Sequence, residues 1–108
     1  MNAVAGSSGA SANPVRGEAA LTVAGRTITL RPTFAALVAA EGELGPLFAL
    51  VERAAGGGLT LNELAGLLWH CAIDSGERGA FCDALVAGGL AAATPALRVL
   101  LGQILGGR

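Results

Sequence analysis

The chain has 108 residues, enough for one domain with a hydrophobic core. Hydrophobic residues make up 53% of it, but only 4% are aromatic and 17 residues are glycine, so we expect a core of Leu, Val, Ile and Ala. The formal charge is −1 and the seven basic residues, all arginine, are scattered singly, which argues against nucleic-acid binding.

The N-terminal segment differs in composition from the rest of the chain. Residues 1–13 are mainly Ala, Gly, Ser and Asn, with little to bury, which predicts a disordered tail before a single domain at 14–108. The segment has no basic region followed by a continuous apolar run, and the longest apolar stretch, residues 34–40, is too short to cross a membrane. Two cysteines make no disulfide framework, so we expect a reduced, cytoplasmic protein without a membrane partner.

Residues 18–31 show the alternating pattern of a β-hairpin. Ala24 and Gly25 supply a two-residue turn, and Gly25 readily takes a positive φ. The expected register pairs Ala19 with Leu30, Leu21 with Ile28, and Thr22 with Thr27. One face of the hairpin is therefore expected to be apolar, with the two threonines together on the other face.

The hairpin leads directly into a first helix at residues 34–44. Pro32 ends the second strand, Thr33 is expected to cap the helix, and Phe34 is expected to lie in the core. Gly45 is expected to end the helix.

Four more helices are predicted, which makes the expected fold α+β: a hairpin followed by about five short helices. Their expected ranges are 46–55, 61–74, 77–87 and 95–105. Thr60 and Glu63 have the spacing of a capping box at the start of the third helix. Thr94 and Pro95 are expected to be the N-cap and first residue of the last helix.

Residues with catalytic or metal-binding side chains are sparse. His70, Cys71, Asp74 and Cys82 are the only group with ligand-type atoms, and they lack the spacing of a zinc site. Adjacent helical positions diverge by about 100°, so His70 and Cys71 do not face each other as base and nucleophile. We therefore expect no enzymatic activity, no catalytic residue, no metal and no cofactor, with a thiol or metal enzyme as the alternative.

Two helices are apolar over most of their surface. The third has only a narrow polar strip, which is typical of a central helix or of one shared with a partner. We favour the central position for the third helix and partner binding for the last. The candidate partner-binding residues are Trp69, Ile73, Leu97, Leu100, Leu101, Ile104 and Leu105. The hairpin edge and the last helix are also candidate surfaces for homo-oligomers.

Residues 13–37, NPVRGEAALTVAGRTITLRPTFAAL, followed by Glu41, Gly45 and the segment LTLNELAGLLWH, resemble a known family. The chain is similar over about residues 13–105 to small tail assembly proteins of gene transfer agents and siphophages. These are labelled tail assembly chaperones or tail tube proteins. The most specific parts of the resemblance are the segment from Asn13 to Glu18 and the junction from Arg31 to Phe34.

The resemblance implies a non-enzymatic role in building a phage-like tail. Chaperones of this kind coat the tape measure protein, keep it soluble, help to recruit tail tube subunits and leave the finished particle. A tail tube subunit is normally a β-rich ring former, whereas this chain is predicted to be mostly helical, so the chaperone is the favoured role. The alternatives are a structural component retained in the tail and a helical interaction module unrelated to phage.

Overall fold

The computed structural model describes residues 18–106, and these form the predicted α+β arrangement of a two-stranded antiparallel hairpin followed by helices. The predictions for residues 1–13 and for the entry motif before Glu18 lie outside the described residues. The elements are β1 (Ala19–Val23), β2 (Arg26–Leu30), α1 (Phe34–Leu44), α2 (Leu47–Ala55), α3 (Leu61–Cys71), α4 (Arg78–Ala87), a 3₁₀ helix (Leu90–Ala92) and α5 (Ala93–Gly106).

The hairpin has the predicted register. Ala19 pairs with Leu30, Leu21 with Ile28, and Thr22 with Thr27. Ala24 and Gly25 form the turn with φ values of 52° and 76°, the positive values that a type I′ turn requires. The apolar face is buried, and Thr22 and Thr27 are exposed on the other face, as expected.

The second edge of β2 pairs with the chain that follows α3. Leu30 forms a bridge with Ala72, the Arg31 N–H donates to the Cys71 carbonyl at 2.7 Å, and the Ile73 N–H donates to the Thr29 carbonyl at 2.9 Å. The prediction that this helix continues to residue 74 is therefore wrong, because Ala72 is extended at φ −74° and ψ 133° to make the pairing. Backbone pairing to the hairpin replaces the helical hydrogen bonds that the apolar periodicity favoured.

The core lies between the apolar face of the hairpin and the helices. Helix α5 packs against β1, and α1 and α4 both pack against α3. Four consecutive residues of α3, from Ala65 to Leu68, are buried, which confirms its central position. The largest fully buried side chains are Leu21, Leu30, Leu50, Leu67, Leu68, Cys71 and Leu100.

Thr33 caps α1 as predicted, but the expected place of Phe34 in the core is wrong. The Ala36 N–H donates to Thr33 Oγ1 at 3.1 Å, whereas Phe34 is 84% exposed. The inner face of α1 is centred on Ala40, which is fully buried. Small residues on that face allow α1 to lie close to α3, and this orientation turns the first residue of the helix outward.

The other helices start within about two residues of the predicted positions. The capping box is confirmed, with the Glu63 N–H donating to Thr60 Oγ1 at 3.1 Å and the Thr60 N–H to Glu63 Oε1 at 3.0 Å. Pro46 and Glu77 serve as N-caps, one residue before their helices. Thr94 is not an N-cap, because α5 already begins at Ala93 and accommodates Pro95 in its first turn, where no N–H is needed.

A polar junction joins α1, α3 and α4. The Glu43 carboxylate of α1 accepts two hydrogen bonds from the Arg78 guanidinium of α4, and its Oε1 lies 2.8 Å from His70 Nε2 of α3. Hydrogen bonding to Arg78, and then to His70, lowers the pKa of Glu43 to about 2. The Arg78 guanidinium also lies 5.3 Å from the ring centroid of Trp69.

The turn at Ala24 gives a first prediction. Replacing Ala24 by asparagine should raise the free energy of unfolding by about 0.5–1 kcal/mol, because asparagine tolerates the left-handed conformation that strains alanine. Gly25→Ala, which places a strained residue at the next position, should lower the free energy of unfolding by about 1 kcal/mol. Urea denaturation of both variants measures these changes. An Ala24→Asn variant no more stable than the parent would contradict the strain argument.

The polar junction gives a second prediction. Because the pKa of Glu43 is lowered from 4.5 to about 2 by folding, its contribution to stability is present above pH 4.5 and is lost as the pH falls toward 2. At neutral pH, Glu43→Gln should cost about 1 kcal/mol, the upper range for a partly exposed ion pair. Thermal unfolding at several pH values should show that this variant loses less stability on acidification than the parent does; we call this decrease in stability at low pH the acid loss.

Glu52→Gln is the matched control for that experiment, since Glu52 is exposed and forms no ion pair within residues 18–106. It should leave both the neutral stability and the acid loss close to those of the parent. Glu63 and Glu77, whose pKa values are also lowered by hydrogen bonds, should supply the acid loss that remains. If Glu43→Gln and Glu52→Gln lose the same stability at low pH, the Glu43 carboxylate is not the main group whose protonation destabilises the protein.

Candidate functional site

An open apolar groove lies on the surface between α2 and α5. Its volume is about 430 Å³. It is lined by Val51, Ala54, Ala55, Thr94, Leu97, Arg98, Leu101 and Leu105. The lining is mostly aliphatic, so the groove offers dispersion contacts and apolar burial rather than chemistry.

The α5 wall of the groove is a regular stripe. Leu97, Leu101 and Leu105 recur every four residues, so they lie one above another on one side of the helix. Leu97 and Leu101 are half-buried and also pack against the core, whereas Leu105 is 57% exposed. The stripe therefore extends from the core to the solvent along a single line of leucines.

The opposite wall comes from the C-terminal half of α2. Val51 and Ala54 are half-buried there, and Leu50, which is fully buried, fixes the helix to the domain. The side chains of Ala54 and Ala55 are small and project little from this wall, so the groove stays open here.

The groove carries one positive charge at its edge. Arg98 is exposed, lies among the lining residues and forms no ion pair within the described part of the chain. A cation beside an apolar stripe favours a partner that presents an acidic side chain next to apolar ones.

The structure separates the seven predicted partner-binding residues. Leu97, Leu101 and Leu105 meet in the groove, and Ile104 is half-buried against the core. Leu100 is completely buried and is not exposed on the surface of this structure; it faces inward because it is one position, about 100°, away from Leu101 on α5. Trp69 and Ile73 lie outside the groove lining.

Sequence reasoning missed the α2 wall. Val51 and Ala54 fit the apolar periodicity of α2, and this pattern does not distinguish a residue facing the core from one that lines a groove at its margin. The unpaired Arg98 was visible in the sequence as the only charged residue of the last helix, and it was the available signal for this surface.

The structure gives Cys71 and His70 separate surroundings. Cys71 is buried, and burial raises its pKa to about 12, so its thiol stays protonated at neutral pH. His70 contacts Glu43 rather than Asp74, because Asp74 lies beyond the end of α3 at a φ of 57°. Within residues 18–106 no three His, Cys, Asp or Glu residues are grouped so that they could hold a metal ion.

None of the helices within residues 18–106 is, by itself, long and apolar enough to span a bilayer.

Comparison with known proteins identifies the family. No curated protein and no solved structure matches the chain. A family model described as "Phage tail tube protein, GTA-gp10" matches residues 16–107, nearly the whole sequence, and this sets aside the hypothesis of an interaction module unrelated to phage. The chain belongs to this GTA-gp10 family of phage tail proteins.

Proposed function

We propose that this protein is a non-enzymatic tail assembly chaperone that binds the tape measure protein through the groove between α2 and α5. The observation that carries the proposal is the stripe of Leu97, Leu101 and Leu105, which is continuous with the core yet open to solvent. A stripe of this kind, in a member of a phage tail family, favours the binding of an apolar segment of another tail protein.

The shape of the groove favours a helical partner. Helix α2 has nine residues and is about 14 Å long, so its side of the groove matches two to three turns of a second helix. Leucines spaced by four along α5 are complementary to an amphipathic helix with the same spacing. Arg98 would then lie beside an acidic residue of that helix.

The proposed contact is small, so each copy binds weakly. A long tape measure protein offers many such segments, and many copies along it would hold it in solution through weak, repeated contacts. Transient binding of this kind, in the cytoplasm of the bacterial host, is suited to a factor that helps to recruit tail tube subunits and then leaves.

The second candidate function is a structural component retained in the tail. It is favoured by the wording of the family description, which is that of a tail tube protein. The two roles differ in the purified particle, where a retained component is present in stoichiometric amounts and a chaperone is absent. Quantitative mass spectrometry of purified particles separates them.

Binding through the groove is tested by co-expression with a tape measure protein from the same phage-like element. The parent should make the tape measure protein soluble and elute with it, whereas Leu105→Glu should reduce the co-eluting fraction by about tenfold or more, because it places a charge in the apolar stripe.

Val99→Glu is the matched control, since Val99 is 47% exposed on the same helix but does not line the groove. It should leave co-elution unchanged. If the parent never co-elutes with the tape measure protein, the chaperone proposal fails. If Leu105→Glu and Val99→Glu lower binding equally, the groove is not the binding surface.

A further inference from the structure

We infer that a second copy of this chain pairs with the outer edge of β1, so that two hairpins form one continuous antiparallel sheet. This surface is separate from the groove, and the inference does not rest on the proposed chaperone function.

The hydrogen-bond directions in the hairpin identify the free edge. The Thr29 carbonyl and the Arg31 N–H bond to Ile73 and Cys71, so the backbone groups of Thr29 and Arg31 point away from β1. Because these directions alternate along a strand, the backbone N–H and C=O groups of Ile28 and Leu30 point toward β1. There these two residues pair with Leu21 and Ala19.

On β1, the same alternation directs the N–H and C=O groups of Ala20 and Thr22 away from β2. Both residues are exposed, and within residues 18–106 no hydrogen bond is made on that side. The corresponding side of β2 is already occupied by the Ala72–Ile73 segment. The sheet therefore has one open edge, and its backbone donors and acceptors suit an extended strand.

Within β1 itself, Ala19–Val23, the open edge carries none of the usual protection against pairing. Soluble proteins place Lys, Pro, a bulge or an inward-pointing charge on such strands. The exposed positions of β1 are Ala20 and Thr22, which are small and uncharged. Glu18, which directly precedes β1, is buried and accepts a hydrogen bond from Arg31 Nε at 2.8 Å.

The strand is complementary to itself. A two-fold axis through Leu21 sets Ala20 opposite Thr22 of the second copy, and the two such pairs form four backbone hydrogen bonds. On the exposed face, this register sets alanine beside threonine, with no charge and no bulky side chain between them. A second copy supplies this small, neutral strand at the same edge, and this self-complementarity favours it as the occupant.

The area of one strand pair is well below that of a stable dimer, so association is expected to be weak, with a dissociation constant of about 100 µM. Sedimentation velocity of the full chain from about 10 µM to about 1 mM should show a reversible monomer–dimer equilibrium. Over the same range, the amides of Ala20 and Thr22 should exchange more slowly with solvent as the concentration rises, while the Leu21 amide stays protected throughout.

Thr22→Pro removes one outward-facing N–H from each copy, and edge strands tolerate proline at such a position. The dissociation constant should rise by about tenfold or more, because two of the four bonds are lost. Thr22→Lys, a second variant that keeps the backbone intact, should also weaken association. Thr27→Lys is the matched control, since Thr27 faces Thr22 on the same exposed face but belongs to the covered strand.

A chain that sediments as a monomer at every concentration overturns the inference. So does a dimer that both Thr22 variants retain at the strength of the parent, because another surface must then form it. If the parent is monomeric and Thr22→Pro instead weakens binding of the tape measure protein, the edge accommodates an extended segment of that partner and the inference is equally overturned.

Discussion

The arrangement of the domain depends on the short backbone pairing between β2 and the segment after α3. An isolated two-stranded hairpin is only marginally stable in water, so this one needs support from the helical part of the chain. The hydrogen bonds of Arg31 and Ile73 provide that support, and they also end α3 at Cys71 and leave β1 as the open edge of the sheet. One local pairing therefore determines the length of the central helix, the position of the hairpin and the side on which the sheet remains available.

Helix α5 has two different neighbours, which explains why so apolar a helix remains partly exposed. Its Leu100 face is completely buried, and the helix packs against β1, whereas the Leu97, Leu101 and Leu105 face continues into the groove beside α2. The domain has few large side chains and relies on alanine at several packing positions, so the available helices do not cover the whole of this surface. The same shortage of large side chains that limits the core leaves part of this apolar surface exposed.

Local patterns in the sequence predicted the elements well and their mutual packing less well. The register of the hairpin follows from the Ala24-Gly25 turn and strict alternation, and the start of α3 from the Thr60–Glu63 capping box, because each depends on residues close together in the chain. The end of α3 was wrong because it depends on pairing with a strand some forty residues earlier. The outward position of Phe34 and the inward position of Leu100 depend on which helix face the neighbours select, and wide apolar stripes leave that choice open. The groove was predicted on its α5 side alone, since its other wall depends on tertiary packing.

Trp69 has a consequence for how the folded state can be observed. It is the chain's one tryptophan and there is no tyrosine, so near-ultraviolet emission arises almost entirely from a single side chain. Its indole N–H donates to the Gly76 carbonyl at 3.2 Å, and its ring lies beside both Arg78 and His70, with the imidazole centroid 5.1 Å away. The fluorescence of the intact protein therefore reports on the place where α1, α3 and α4 meet, and it requires no added dye.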